Sequence, residues 1–401
     1  MKRIISVICI MMFCVQLLAT DKVIAEETTE PVVSEAQEKE DAAVNISAPS
    51  AVLMEASTGT VIFEKASSEQ LRPASITKIM TLILIFDALE EGKIKLDDMV
   101  ITSEYAASMG GSQVFLEPQE QQSVETMIKC IAVASANDAC VAMAELIAGT
   151  EEEFVKKMNE RAAGLGMNST HFVNCCGLDA DGHYTTAMDV ALMSRELIKK
   201  YPKIHDYSTI WMENITHTTA KGTSEFGLAN TNKLIKQYEY ATGLKTGSTS
   251  LAKYCVSATA QKDGVELISV IMAAPDYKVR FADASTLLNY GFANCKLYQD
   301  QKMPKLSPVT VESSLKTEVA LVYKKEFQYL GTKGENFDKI EKELNVPKKV
   351  TAPMDKNTKV GSLVYKLDGK VIGEVDIVTA EGLDKAGYQD YFKKLCSLWT
   401  I

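Results

Sequence analysis

Apolar positions run almost without a break after Lys78 (Ile79, Met80, Leu82, Ile83, Leu84, Ile85, Phe86), a pattern that fits a helix buried on all sides rather than one lying on a surface. Upstream, residues 51–55 and 60–64 read as strands around Ser57-Thr58-Gly59 and predict a β-hairpin. From about Lys93 to Lys200 the periodicity is helical, most clearly over 124–147 and 151–165, with Gly164, Gly166 and Gly177 marking loops. Strand patterns return at 241–246, 253–260 and 265–274, the last two joined through Lys262-Asp263-Gly264. A helix over 281–288 follows. The elements predict an α+β domain: a sheet drawing strands from both ends of a segment, flanked by helices and interrupted by a helical insert.

After Pro304 the pattern becomes β-rich with charged turns, at 309–311, 318–323, 359–367 and 370–379. Asp368-Gly369 between the last two is a two-residue hairpin signal. No nucleophile, base and acid cluster there, so residues 304–380 read as a small spacer or interaction domain. Beyond it, Tyr388, Tyr391, Phe392, Leu395, Leu398 and Trp399 recur at helical spacing beside Lys393 and Lys394. Residues 381–401 therefore predict an amphipathic helix suited to a membrane surface, the alternative being a helix docked on its own protein.

At the other end, Lys2 and Arg3 precede an apolar stretch from Ile4 to Leu18, then Val23 and Ala25. Residues 1–25 read as a signal peptide cut after Ala25, so the protein is expected to be exported to the outer face of the cytoplasmic membrane or the cell wall. The apolar stretch is shorter than the roughly 20 residues of a comfortable membrane span. Residues 26–45, acidic and without periodicity, read as a disordered linker, which leaves 46–303 as the catalytic domain.

Composition narrows the functional classes. A formal net charge of -10 and the lack of a basic run argue against nucleic acid as partner. Of nine cysteines, Cys9 and Cys14 fall in the leader. The remaining seven match no zinc spacing and read mostly as small buried apolar residues, with one or two disulfide pairs conceivable. No metal or cofactor is implied. The four histidines, His171, His183, His205 and His217, stand in neither a Gly-x-Ser-x-Gly elbow nor a His-Glu-x-x-His pattern, which disfavours a histidine triad or a zinc hydrolase.

Three short stretches carry chemistry. Ser75 and Lys78 lie three apart at the start of the apolar helix, one turn apart on one face: a nucleophile beside a base, or, since Pro73 precedes, an N-cap and a buried lysine. Ser135 and Asn137, two apart within a helix-prone run, share no helix face and need a turn between them to enter one cleft. Lys245-Thr246-Gly247, at the expected start of a sheet-edge strand, offers fixed positive charge, a hydroxyl and room for a substrate backbone to approach.

In this order the three stretches match the motif set of penicillin-binding proteins and class A β-lactamases. The chain resembles the serine-type D-alanyl-D-alanine carboxypeptidases, the low-molecular-mass penicillin-binding proteins. The likeness extends from Ala51 to about Phe292 through Pro73-Ala74-Ser75-Ile76-Thr77-Lys78-Ile79-Met80-Thr81, Asn137-Asp138-Ala139, Thr170-His171-Phe172-Val173-Asn174, Gly243-Leu244-Lys245-Thr246-Gly247 and Leu288-Asn289-Tyr290-Gly291-Phe292. The β-rich module and the amphipathic end fit it more loosely.

The resemblance implies that Ser75 is acylated by peptidoglycan stem peptides ending in D-Ala-D-Ala, releasing D-alanine, and by β-lactam antibiotics. Lys78 would be the base, a role needing a neutral amine, favoured by burial and by the charge of Lys245. Ser135 would relay a proton to the leaving amine and Asn137 would hold Lys78 and the substrate amide. Lys245, Thr246 and Arg280 would bind the terminal carboxylate, Arg280 being otherwise a surface salt-bridge residue. The backbone N–H groups of Ser75 and Ser248 would form the oxyanion hole.

Two positions depart from the family pattern: Ser248, where relatives often carry histidine or an aromatic residue, and the pair Cys175-Cys176 before Gly177-Leu178. The competing functions are a β-lactamase, which the extra domain and acidic linker disfavour, and a silent wall-binding protein of the same fold.

Overall fold

The computed structural model describes residues 44–399. The expected signal peptide and most of the acidic linker lie outside them. Val44 and Ile46 are already buried in the core, so the folded chain starts slightly earlier than residue 46.

The central sheet has five strands: β1 (Ser50–Glu55), β2 (Val61–Lys65), β5 (Ala241–Thr249), β6 (Lys253–Lys262) and β7 (Val265–Ala274). They are ordered β2-β1-β7-β6-β5 and every neighbouring pair is antiparallel. The expected hairpin and the strands from both ends are therefore present. Strand β1 is buried at all six positions. Val52 and Met54 face a core shared with the helical insert, whereas Ala51 and Leu53 face one closed by the long C-terminal helix of the domain, so the two-residue side-chain period feeds two cores.

Helix α1 (Lys78–Glu90), entered through a 3-10 turn at Ala74–Thr77, is buried along most of its length, as its uniformly apolar sequence requires. The insert continues with α2 (Val124–Lys129), α3 (Asn137–Ala148), α4 (Glu151–Gly164) and α5 (Ala187–Lys200). The single helix expected over 124–147 is thus broken: a π turn at Cys130–Ala134 ends at Ser135, whose φ of 63° lies in the left-handed region. A hairpin of β3 (Met212–Thr219) and β4 (Gly222–Ala229), absent from the sequence reading, follows the insert. Its strands alternate threonine, glutamate and glycine with few apolar residues, too weak a pattern for periodicity to detect. Helix α6 runs over Tyr277–Asn294, well beyond the expected 281–288, because Asp276 caps it by accepting from the N–H groups of Lys278 and Val279.

The C-terminal module is β-rich as expected, with small sheets around a separate core that includes Val311, Leu363, Tyr365, Val375 and Ile377. Its limits differ from those read in the sequence. Lys296–Gln299 pairs with Gln328–Gly331, so residues from about 296 belong to the module rather than to the first domain. Leu383, bridged to Met354, is part of its core, and the terminal helix α7 (Tyr388–Trp399) begins only afterwards.

Candidate active site

Ser75 lies inside the 3-10 turn, and no side-chain cap bond is made at that helix start, so the N-cap alternative fails. One turn on, Lys78 is fully buried. Its Nζ donates to Asn137 Oδ1 at 2.7 Å and to the Cys176 carbonyl at 2.6 Å, and lies 3.0 Å from Ser75 Oγ. The serine–lysine spacing placed the pair on one face; the other two partners come from distant segments.

The break at Ser135 is what brings Asn137 into reach. With Ser135 left-handed and Ala136 extended, α3 restarts at Asn137 on a new axis, supplying the turn that the sequence pattern demanded. Asn137 Nδ2 donates to the Gly110 carbonyl at 2.6 Å and its backbone N–H to Ser112, fixing the amide so that its oxygen faces Lys78. Ser135 Oγ is buried and has no hydrogen-bond partner among the described residues, an open polar position where a reacting group could bind.

The facing wall is strand β5, at the edge of the sheet, with Lys245, Thr246 and Gly247 in mid-strand rather than at its start. A Cβ added at Gly247 would sit 2.8 Å from the Pro73 carbonyl and 2.9 Å from the backbone nitrogens of Ser75 and Ile76. Only glycine lets the strand press this closely on the turn that carries Ser75. Thr246 Oγ1 donates to Thr231 Oγ1 at 2.7 Å, and the Thr231 N–H reaches the carbonyl of Val133 beside Ser135, tying the strand to the insert.

Lys245 is buried and, among the described residues, donates to the Thr246 carbonyl at 3.2 Å. Burial first, and the neighbouring charges of Lys78 and Arg280 next, hold its ammonium well below the ordinary lysine range. Arg280 is not a surface salt-bridge residue. It is buried, with Nη1 donating to the carbonyls of Gly247 and Cys255 at 3.2 Å each and its guanidinium 4.7 Å from the Phe281 ring centroid, and burial lowers its pKa. Ser248, the next residue of β5, is exposed and pairs in register with Tyr254.

The structure thus joins Ser75, Lys78, Asn137, Gly247 and Arg280 through contacts, with Ser135, Lys245 and Thr246 beside them. Sequence reasoning missed the carbonyls of Cys176 and Gly110 and the hydroxyl of Thr231. Backbone acceptors leave no signature in residue type, and Thr231 stands in an unremarkable Asn-Thr-Asn run. Gly177, at φ +85°, marks only a loop in the sequence, but a Cβ there would overlap the Ala74 carbonyl at 1.8 Å, so it packs directly under the turn that carries Ser75. Among the described residues the conceivable disulfides are not formed by Cys130, Cys140, Cys175, Cys176, Cys255 or Cys295, which are free and buried; Cys396 is exposed.

An antiparallel sheet flanked by helices, with a serine and a lysine on one helix start and a Lys-Thr-Gly strand against them, defines a penicillin-binding serine hydrolase. Residues 34–276 match the family model of D-alanyl-D-alanine carboxypeptidases, and residues 292–385 match that of the penicillin-binding protein 5 C-terminal domain. The chain is 43% identical over 354 residues to D-alanyl-D-alanine carboxypeptidase DacF of Bacillus subtilis, covering 88% of this chain and 90% of the relative. It is 32% identical over 367 residues to DacA of Escherichia coli, covering 88% and 89%. Penicillin-binding protein 5 of Haemophilus influenzae superposes with a TM-score of 0.72 at 30% identity, over 85% of this chain and 98% of that one. This chain belongs to the D-alanyl-D-alanine carboxypeptidase family, and it is a serine-type carboxypeptidase of the cell wall.

Proposed function

We propose that Ser75 is the nucleophile that removes the terminal D-alanine from peptidoglycan stem peptides, and that Lys78 is its base. The position of Lys78 Nζ between Ser75 Oγ, Asn137 Oδ1 and the Cys176 carbonyl carries this reading. A neutral amine spends its two N–H groups on the two carbonyl-type oxygens, which can only accept, and turns its lone pair to the Ser75 hydroxyl. Ser75 Oγ then bonds to the carbonyl carbon between the two D-alanines, its proton passing to Lys78. Ser135 Oγ, lacking another partner, relays a proton to the departing amine, and water cleaves the ester. The backbone N–H groups of Ser75 and Ser248 hold the oxyanion.

The substrate carboxylate supplies what the site lacks. Lys245 and Arg280 are buried without an ion-pair partner among the described residues, an arrangement that costs stability until an anion enters. In this reading Lys245, Thr246 and Arg280 receive it. A β-lactam, which also carries a carboxylate beside a reactive carbonyl, acylates the same serine. Incubation with a D-Ala-D-Ala peptide and with penicillin, followed by intact mass, tests the assignment. D-alanine release and a long-lived adduct are expected from the native protein and neither from Ser75→Ala. Rapid penicillin turnover would instead indicate a β-lactamase, and no adduct a silent wall-binding protein.

Helix α7 is proposed as a membrane-surface contact on the outer face of the cytoplasmic membrane. Tyr388, Phe392, Leu395 and Leu398 recur along one side and are exposed, while Tyr391 and Lys394 bond to the carbonyls of Ser314 and Leu315. Among the described residues no helix is long and apolar enough to cross a membrane. Export rests on the leader sequence. Co-sedimentation with anionic vesicles, lost on deletion after Gly387, is the expected behaviour; equal binding by the truncated chain would refute it.

A further inference from the structure

Behind the lysine that contacts Ser75 lies a cluster that the hydrolytic chemistry does not use. The sulfurs of Cys175 and Cys176 and a carboxylate oxygen of Glu151 all lie within 4.8 Å of one another, the one such trio among the described residues. Both cysteines are free and buried. Glu151 is fixed by two contacts: its Oε1 accepts from the Cys175 N–H at 2.9 Å and its Oε2 from the Tyr105 hydroxyl at 2.7 Å. It also lines a surface groove of about 420 Å³ with Tyr105, Glu145, Thr150 and Val173, which brings solvent to the carboxylate edge of the trio.

We propose that Cys175, Cys176 and Glu151 form a site for a thiophilic divalent cation of the zinc–cadmium type, and that filling it inhibits the enzyme. Two thiolates and one carboxylate held by outer hydrogen bonds suit such a cation, with the fourth position left to water. Each thiol releases its proton to solvent as its sulfur takes the metal.

The link to catalysis is the same dipeptide's backbone. The Cys176 carbonyl accepts from Lys78 Nζ at 2.6 Å and the Cys175 carbonyl accepts from Thr81 Oγ1 at 2.5 Å. Drawing the two sulfurs toward a metal, which sits about 2.3 Å from each in such sites, moves this peptide and takes Lys78 out of line with Ser75. The inhibition rests on the acyl-enzyme reading above; the binding does not.

Because Cys396 is exposed and would itself bind metal, the test uses the full protein carrying Cys396→Ser. Cadmium titration should give one ion per chain by mass and a thiolate-to-cadmium absorption band, with penicillin acylation slowed at least about tenfold and restored by EDTA. Glu151→Gln, whose amide oxygen still accepts from the Cys175 N–H while its NH2 group donates to the Tyr105 hydroxyl, should weaken cadmium binding roughly tenfold while metal-free acylation is unchanged. Absence of the band, or a band that persists in both Cys175→Ser and Cys176→Ser, overturns the site. A band without slowed acylation overturns the inhibition. Failure of the metal-free protein to take up penicillin would count against the acyl-enzyme reading alone, since absorbance still decides the site.

Discussion

The two domains bury charge in opposite ways. In the C-terminal module, Asp300 is buried but bonded in place by Lys342 at 2.6 Å and Tyr365 at 2.8 Å, and the pairs Lys359–Asp376, Lys366–Glu343 and Lys349–Glu312 are spread over its surface. Its core is apolar, with Phe327 and Tyr365 stacked at 3.6 Å. In the first domain Lys245 and Arg280 are buried against carbonyls beside Lys78, with no ion-pair partner among the described residues. The module is built for its own stability. The first domain carries an unbalanced site, and the proposed function uses that imbalance to hold an anionic substrate.

The contrast breaks most sharply at Gly247. Replacing it with alanine forces a Cβ against Pro73, Ser75 and Ile76 and separates β5 from the turn that carries Ser75. Penicillin acylation is expected to fall about a hundredfold, with the module's fold intact by circular dichroism; near-native acylation would remove the close-approach argument.

Lys245 gives the next largest effect. Its lowered pKa means that it gives up its proton at a lower pH than an exposed lysine, so the carboxylate anchor weakens as pH rises. KM for a D-Ala-D-Ala peptide should climb several-fold on the alkaline side while kcat changes less, and Lys245→Arg should move that rise to higher pH. A KM flat through pH 10 would contradict it.

His183 sharpens the comparison from the acid side, for the module contains no histidine. Val173 N–H donates to His183 Nδ1 at 3.0 Å, so Nε2 carries the proton and donates to Thr77 Oγ1 at 2.8 Å, between Ser75 and Lys78. Burial lowers its pKa from 6.5 to about 4. The unfolded chain therefore takes up the proton first as pH falls. Stability is fully present above about pH 6.5 and is lost toward pH 4, by roughly 3 kcal/mol. Melting temperature against pH, native compared with His183→Gln, should show this loss in the native protein only.

The smallest effect is expected from removing residues after Gly387. Turnover of a soluble peptide should be unchanged, because α7 bonds to the module's Ser314–Leu315 turn. A drop in kcat/KM would mean that the two domains are not as separate as their cores imply.

Much of this protein was legible in the residue pattern. The buried helix after Ser75, the hairpin before it, the strands bearing Lys245 and the β-rich module follow from periodicity, since a stripe or run of apolar residues can be satisfied only by burial. The motif residues were legible because their chemistry depends on side-chain type. What the tertiary structure alone decided lies in the backbone and in distant contacts. It set the left-handed break at Ser135 that turns Asn137 toward Lys78, and the carbonyl of Cys176 as the third partner of that lysine. It converted Arg280 from a surface ion-pair candidate into a buried donor, and placed Cys175 and Cys176 beside Glu151. Carbonyls are common to every residue, and a buried cation is written with the same letter as an exposed one. Only the packing of segments far apart in sequence tells them apart.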